Sequence, residues 1–201
     1  MGKFTEGGNY YNKYESKNPV VKILMDTYFR DFDSLIDSIK NEIENAFEIG
    51  CGEGYLTSHV KKMGINIEGA DVSAKVIEHA KKMHPSITFS VCCIYELNNR
   101  SKKYDLLIAS EVLEHLEEPA LALKQLKDLT SKYIFLSVPN EPFFRLANVL
   151  RLKYLKDFGN TPGHINHWSK QGFKELIESR GLRIINIKTS TLWTMVICRI
   201  E

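Results

Sequence analysis

FEIGCGEGYLTSHV, residues 47–60, is the stretch that decides the fold. It begins as an apolar run that includes an acid, Glu48, and then places glycine at every second position, at Gly50, Gly52 and Gly54, before it continues with the spacing of a helix. This order predicts a buried strand, a tight turn and a helix. Glycine is favoured where a chain bends sharply and a ligand approaches the main chain closely. The stretch therefore predicts a binding turn at the end of a strand.

The composition is that of one globular domain spanning residues 1–201. Hydrophobic residues make up 43% and charged residues 26% of the chain, and the net charge of +2 creates no field that demands nucleic acid or an anionic membrane as partner. The four cysteines lack the paired spacing of a zinc site, which favours reduced thiols. The sequence contains neither the apolar core of a signal peptide nor a run of transmembrane length. We therefore expect a cytoplasmic protein.

Strands and helices alternate along the chain after an N-terminal helical region. Two apolar-periodic segments, PVVKILMDTYFRDF and SLIDSIKNEI, predict two helices before the glycines, so residues 1–44 are expected to form an N-terminal helical cap. Seven strand-like segments follow, and the last two are joined by a connection of hairpin length. This pattern predicts an α/β fold with a Rossmann-like, doubly wound seven-stranded sheet that is parallel except for a final antiparallel strand. Residues 139–168 are an irregular insertion placed to cover a pocket.

An acid, Asp71, ends the second predicted strand, 21 residues after Gly50. A carboxylate at this separation can accept hydrogen bonds from both hydroxyls of a ribose. The glycine spacing Gly50-x-Gly52-x-Gly54 differs from the GxGxxG of dinucleotide sites, although an NAD-dependent reductase stays open as an alternative. The two features together predict a nucleoside site.

Four segments, EIGCGEG, GADVS, YDLLIASEVLEHL and FLSVPN, occur in an order and spacing that resemble the class I S-adenosylmethionine-dependent methyltransferases. The resemblance covers about residues 45–200 and implies S-adenosylmethionine as cofactor. It places the methionine end at Glu48, Gly50 and Gly52, with backbone from Cys51. It implies that Asp71 holds the ribose and that the adenine lies beside Val72, Cys93 and Ile94.

The same resemblance implies further roles at these and other positions. Cys93 stands where many relatives carry an aspartate that contacts the adenine amino group, which leaves Ile94 to pack on the ring. Ser110 and Glu111 would lie beside the methyl-bearing sulfonium. In NYYNKY, Tyr14 or Tyr10 would donate a hydrogen bond to the methionyl carboxylate, and packing of an amphipathic arm is the alternative.

The element SEVLEHLEEP carries the candidates for chemistry beyond the cofactor. If residues 111–116 form a helical turn, Glu111, Glu114 and His115 share one face. Three interpretations stay open: acids that favour the start of a helix, a general base at His115, or a divalent metal such as Mg²⁺. A metal would use Glu111, Glu114 and His115, with His164 from a later loop, and His167 lies close by in the sequence. His115 and Glu111 are the candidate catalytic residues.

The leading hypothesis is a methyltransferase that acts on an oxygen or nitrogen of a small-molecule acceptor. One alternative is metal-assisted O-methylation of a catechol- or quinol-like hydroxyl or of a ribose 2′-hydroxyl, because the E-x-x-E-H element resembles ubiquinone-biosynthesis O-methyltransferases and small-RNA methyltransferases. The lack of a dense basic stripe argues against nucleic acid. A nucleoside-binding module without catalysis is the second alternative.

Overall fold

The described residues form a seven-stranded sheet that is covered by helices on both faces. The computed structural model describes residues 14–150, 157–190 and 192–200. The strands are β1 (Asn45–Ile49), β2 (Asn66–Asp71), β3 (Thr88–Val91), β4 (Tyr104–Ser110), β5 (Thr130–Pro139), β6 (Arg183–Thr189) and β7 (Trp193–Arg199). The helices are α1 (Pro19–Asp37), α2 (Tyr55–Lys62), α3 (Ala74–Met83), α4 (Pro119–Leu129), α5 (Phe143–Leu150) and α6 (Lys170–Glu178).

The order of the strands in the sheet is β3-β2-β1-β4-β5-β7-β6. Neighbours from β3 to β5 pair in parallel, whereas β7 pairs antiparallel with both β5 and β6. The predicted Rossmann-like sheet with a final antiparallel strand is therefore confirmed. Because the winding reverses between β1 and β4, a crevice opens at their carboxyl ends, where α/β sheets bind ligands.

Strand β4 shows how the sheet separates two hydrophobic cores. Its residues alternate between the faces, so that Leu107 and Ala109 join a core with α4 and α6, while Leu106 and Ile108 join a core with α1 and α2. All four are fully buried. Side chains of successive strand residues point to opposite faces, and a strand buried on both faces therefore reads as a continuous apolar run.

The N-terminal region departs from its prediction, because the two expected helices are one helix, α1, followed by a 3₁₀ turn at Lys40–Glu42. The buried residues Tyr28, Phe32, Leu35 and Ile36 keep helical spacing across the expected break. Nothing between them stops a helix, and packing on the sheet carries α1 on to Asp37. Tyr10 and the rest of residues 1–13 lie outside the described residues.

The insertion at 139–168 contains α5, whose two sides differ. Phe144 and Ala147 pack against the core that includes α1, whereas Phe143 and Leu146 are 52% and 54% exposed. Within the part of the chain that the structure describes, no helix combines the length and apolarity needed to cross a membrane. The insertion thus combines a packed side with an apolar exposed side.

Candidate active site

The glycine turn after β1 has the backbone conformation that the sequence predicted. Gly50, Gly52 and Gly54 have φ angles of 74°, 53° and 81°, in the left-handed region that L side chains rarely adopt. A Cβ atom at Gly50 would in addition collide with the side chain of Val112. Gly54 then caps α2. Two separate constraints, dihedral angle and space, therefore require glycine at position 50.

The Asp71 carboxylate connects this turn to the end of β2. Its Oδ2 accepts a hydrogen bond from the Gly52 amide at 3.1 Å, and its Oδ1 accepts one from the Ser73 amide at 2.9 Å. A carboxylate has about four acceptor positions, so two stay available for the hydroxyls of a sugar. The Cys51 amide donates to the Ala70 carbonyl at 3.0 Å. That amide holds the turn against β2 and is not directed to a ligand.

A polar cavity of about 80 Å³ lies at the carboxyl ends of β1 and β4, beside the glycine turn. Its lining residues are Tyr14, Glu48, Gly50, Cys51, Gly52, Glu53, Tyr55, Ser110 and Glu111. Most of the expected cofactor residues are in this list, whereas Asp71 adjoins the cavity through its bond to Gly52. Three carboxylates around so small a volume favour a positively charged occupant.

Glu48 has the most perturbed carboxyl group of this cavity. It is 2% exposed, and the Thr57 hydroxyl donates a hydrogen bond to its Oε2 at 2.5 Å. Burial raises the pKa of Glu48 from 4.5 to about 8, the Thr57 hydrogen bond opposes this rise, and the negative charge of Asp71 adds to it. Glu48 is therefore mostly protonated at neutral pH, and a cation in the cavity would favour its ionised form.

Tyr14 covers one side of the cavity. Its ring stacks on Tyr55 with 4.6 Å between the centroids and 12° between the planes. Burial and the nearby charges of Glu48 and Glu111 raise the pKa of Tyr14, which keeps its hydroxyl protonated. Tyr14 therefore keeps a protonated hydroxyl on a residue that lines the cavity.

The residues expected around the adenine differ in exposure. Val72 is 39% exposed and Cys93 is half-buried, so both reach the surface at this edge of the sheet. Ile94 is 5% exposed and packs in the core beside Leu97. Of the apolar pair, Val72 has a surface free to cover an adenine ring, and Ile94 has most of its surface committed to the core.

A hydrogen-bonded network holds the end of β4. The Tyr28 hydroxyl lies 2.5 Å from Ser110 Oγ, which lies 3.1 Å from Ser137 Oγ. Glu111 Oε2 accepts a hydrogen bond of 3.0 Å from Nε1 of Trp193 on β7. Glu111 itself has a φ of 57°. The side chain of Glu111 is thereby directed to the cavity.

The expectation that Glu111, Glu114 and His115 share one face of a helical turn is therefore wrong. Only Leu113–His115 form a 3₁₀ turn, and the left-handed Glu111 separates it from β4. Glu114 is fully buried, so it does not act as a solvated acid at a helix start, the position that Glu118 holds at the N-terminus of α4. Glu111 therefore lines the cavity, whereas Glu114 lies in the protein interior.

Glu114, His115 and His164 form a separate cluster, in which one ligand atom of each lies within 4.8 Å of the others. The two imidazole rings are perpendicular with centroids 4.8 Å apart. Loop 157–169 is fixed to this turn, because the amides of Ile165 and Asn166 donate to the Glu114 carbonyl at 2.9 and 3.0 Å. Glu111, the fourth expected metal ligand, is not in the cluster.

His115 is held through one nitrogen. Its Nδ1 lies 2.9 Å from the Gly163 carbonyl, which can only accept, so Nδ1 carries the proton and Nε2 keeps a lone pair. Although His115 still reaches solvent, desolvation by the surrounding chain lowers its pKa, and the bond to Gly163 opposes this shift. His167 is directed elsewhere, with Nε2 at 2.7 Å from Asn160 Oδ1. His115 is thus a neutral base or ligand near neutral pH.

The donor set of this cluster fits a divalent cation. One carboxylate and two imidazoles are common ligands of Zn²⁺ and of other first-row metals, whereas Mg²⁺ prefers oxygen. Ligand atoms around a bound metal lie about 3–4 Å apart, so the observed 4.8 Å needs only a small rotation of side chains. The hydrogen bond from His115 Nδ1 to a carbonyl is also the arrangement that orients a metal-binding imidazole.

Several residues of this site carried no signal in the sequence. Trp193 and Tyr28 come from β7 and α1, and nothing in their local pattern separates them from ordinary core positions. Gly163 and Asn166 lie in GHINHWS, where the histidines had marked the loop but not its role in fixing His115. Sequence patterns therefore marked the candidate ligands but not the groups that orient them.

Comparison with known proteins agrees with this geometry. A family model described as "Methyltransferase domain" matches residues 26–187. The ubiquinone biosynthesis O-methyltransferase of Pelagibacter ubique is 30% identical over 65% of this chain, and the match spans 53% of that relative, about half its length. The protein of the same name from Coxiella burnetii is 23% identical over 72% of this chain and 69% of its own.

The solved structures give the same fold. Magnesium protoporphyrin IX methyltransferase from Synechocystis PCC 6803 with bound SAH superposes with a TM-score of 0.69 and 20% identity, covering 92% of this chain and 89% of the other. The glycine turn, the Asp71 bridge and the family match lead to one conclusion. The chain belongs to the class I S-adenosylmethionine-dependent methyltransferase family.

Proposed function

We propose that the chain transfers the methyl group of S-adenosylmethionine to a small-molecule acceptor, with an oxygen favoured over a nitrogen. The observation that carries this proposal is the acidic cavity at the β1–β4 crevice, joined to Asp71 on one side and followed on the other by the turn that holds His115. The names of the relatives, O-methyltransferases, support oxygen as the acceptor atom.

In the proposed complex, the methionine end of the cofactor enters the cavity. Its ammonium group would lie near the Glu48 carboxylate and would draw it to the ionised form, while Tyr14 would donate to the carboxylate. Asp71 would accept hydrogen bonds from the ribose hydroxyls, and Val72 would cover one side of the adenine. Each contact matches a group that the cavity or its edge already offers.

The transfer itself is an in-line displacement. A lone pair of the acceptor oxygen attacks the methyl carbon, the bond between carbon and sulfur breaks, and its electrons neutralise the sulfonium. The acceptor proton passes to Nε2 of His115, whose lone pair is kept available by the hydrogen bond from Nδ1 to the Gly163 carbonyl. A lowered pKa keeps His115 unprotonated and ready to take that proton near neutral pH.

Metal assistance is the second candidate, favoured by the cluster described above. Glu114, His115 and His164 would hold the ion, and when bound it would act as a Lewis acid toward an acceptor oxygen, of a catechol- or quinol-like compound or of a ribose 2′-hydroxyl. In this case His115 would serve as a ligand and not as the base. Turnover that is unchanged after treatment with EDTA would rule out this candidate and leave the metal-free route.

Calorimetric titration with S-adenosylmethionine and S-adenosylhomocysteine tests the proposal. We expect both to bind the wild type, Asp71→Asn to bind them weakly, and Asp26→Asn, at an exposed position on α1, to behave as the wild type. Binding of neither compound would refute the proposal. Binding without turnover of methyl-labelled cofactor, against a panel of phenols and other hydroxyl compounds, would indicate a nucleoside-binding module.

A cytoplasmic location stays a prediction.

A further inference from the structure

We propose that Trp193 is a positioning residue that holds the Glu111 carboxylate in the cavity, so that Glu111 favours the positively charged sulfonium of the cofactor over the neutral thioether of the product. This inference rests on the proposed function. It assigns a specific task to the antiparallel strand β7, which carries Trp193.

The surroundings of Trp193 hold its indole N–H in one direction. Its indole is 5% exposed, and its ring meets the ring of Tyr28 edge-on, with centroids 5.2 Å apart and planes at 80°. Indole Nε1 can only donate, and it does so to Glu111 Oε2 at 3.0 Å. A buried N–H that donates to a carboxylate stabilises the ionised form of that carboxylate and fixes its direction.

The backbone of Glu111 supports the same orientation. Its φ of 57° is unfavourable for a residue with a side chain. The Glu111 amide donates to the Ser137 carbonyl at 3.0 Å, so the pairing between β4 and β5 extends one residue beyond the end of β4. Ser137 Oγ also lies 3.5 Å from Glu111 Oε1. Strained backbone at the end of a strand that opens on a cavity is typical of a residue placed for binding or chemistry.

The position of Glu111 along the chain favours the sulfonium as its partner. Glu48, on β1, lies deep beside Thr57, whereas Glu111 lies between the cavity and the turn that carries His115, where the acceptor is proposed to meet the methyl group. Methyl transfer removes the positive charge from sulfur but leaves the ammonium unchanged. A carboxylate beside sulfur therefore loses its attraction after the reaction, and one beside the ammonium does not.

The test compares the affinity for S-adenosylmethionine with that for S-adenosylhomocysteine in Glu111→Gln and Trp193→Phe. We expect Glu111→Gln to weaken binding of the charged compound about 10-fold or more and of the neutral compound by less than about 3-fold. Trp193→Phe, which keeps the ring and removes the N–H, should shift the same ratio in the same direction by about 3-fold. Trp168→Phe is the matched control, because Trp168 packs on Phe173 away from the cavity.

The outcomes are separable. Equal weakening of both compounds by Glu111→Gln, or a ratio that Trp193→Phe leaves at the wild-type value, would overturn the inference. The proposed function would still stand if the wild type binds both compounds and transfers the methyl group. Failure of the wild type to bind either compound would remove both. Thermal melting of each variant shows whether it is folded, and if Trp193→Phe is not, the same ratio is measured for Trp193→Leu, which also lacks the N–H that donates to Glu111.

Discussion

Replacing Glu48 by glutamine should stabilise the protein without ligand, although it removes a group that the proposed function needs. Burial raises the pKa of Glu48 from 4.5 to about 8 in the folded state. Below pH 4.5 the carboxyl is protonated in both states and has no effect on the free energy of unfolding. Between the two pKa values the unfolded state is ionised and the folded state is not, so the folded state becomes less favourable as the pH rises.

The size of this effect follows from the shift. At about 1.4 kcal/mol for each pKa unit, the ionisation of Glu48 disfavours the folded state by about 3 kcal/mol at pH 7 and by about 5 kcal/mol above pH 8. Glutamine keeps an oxygen for the Thr57 hydroxyl but places an amide in a carboxyl site, which costs about 1 kcal/mol. Glu48→Gln should therefore gain about 2 kcal/mol at pH 7 and almost nothing near pH 5.

Urea unfolding of wild type and variant at several pH values between about 5 and 9 measures this difference directly. Glu44→Gln is the matched control, because Glu44 precedes β1 on the surface and its replacement should leave the curve unchanged. A difference between Glu48→Gln and wild type that does not change with pH would refute the reasoning, since it would mean that Glu48 has an ordinary pKa in the folded protein.

Glu48 should also make the binding of S-adenosylmethionine depend on pH. A cation that enters the cavity should lower the pKa of Glu48 and release a proton at pH 7. Calorimetry of S-adenosylmethionine in buffers with different ionisation enthalpies should detect that proton for the wild type and not for Glu48→Gln. Proton release of equal size in both would assign it to another group.

Three further predictions concern the turn, the base and the ribose site. Gly50→Ala should lower the free energy of unfolding by about 2–4 kcal/mol in urea titrations. Gly64 also has positive φ, but nothing lies within 4 Å of an added Cβ, so Gly64→Ala should lower it by only about 1 kcal/mol. Equal losses in the two variants would contradict the close contact of Gly50 with Val112. His115→Ala should reduce turnover about 100-fold while the Kd of the cofactor changes by less than about 3-fold, and equal losses in both would indicate a structural role. Asp71→Asn should weaken cofactor binding about 10- to 100-fold by calorimetry, because an amide NH₂ would face the Gly52 amide donor; an unchanged Kd would mean that the ribose lies elsewhere.

Local patterns predicted the sheet because its central strands, β4 and β5, are apolar over most of their length. In β4 the residues that face the two cores follow one another, from Leu106 to Ala109, so the strand needed no long-range information to be recognised. The glycine turn was equally local, since Gly50 and Gly54 are required by φ angles within the turn itself. The division of the N-terminal region failed because the packing of Leu35 and Ile36 on the sheet decides where α1 ends.

The site was predicted less completely, for the same physical reason. Glu48 and Asp71 follow from their places at the ends of strands, but the direction of Glu111 depends on an indole 82 residues later in the chain. The spacing of the acids predicted a helical turn from residue 111, but the left-handed backbone of Glu111 prevents that turn from beginning there. Tertiary hydrogen bonds, which local spacing does not encode, decide which of several acids faces the cavity.

A crystal structure grown with S-adenosylhomocysteine would test the central claim most directly. We expect the ribose hydroxyls within hydrogen-bonding distance of the Asp71 carboxylate, the amino-acid part of the ligand in the cavity between Gly50 and Glu111, and Trp193 still bonded to Glu111. A ligand bound at any other edge of the sheet, with Asp71 and the glycine turn left as they are, would contradict the account.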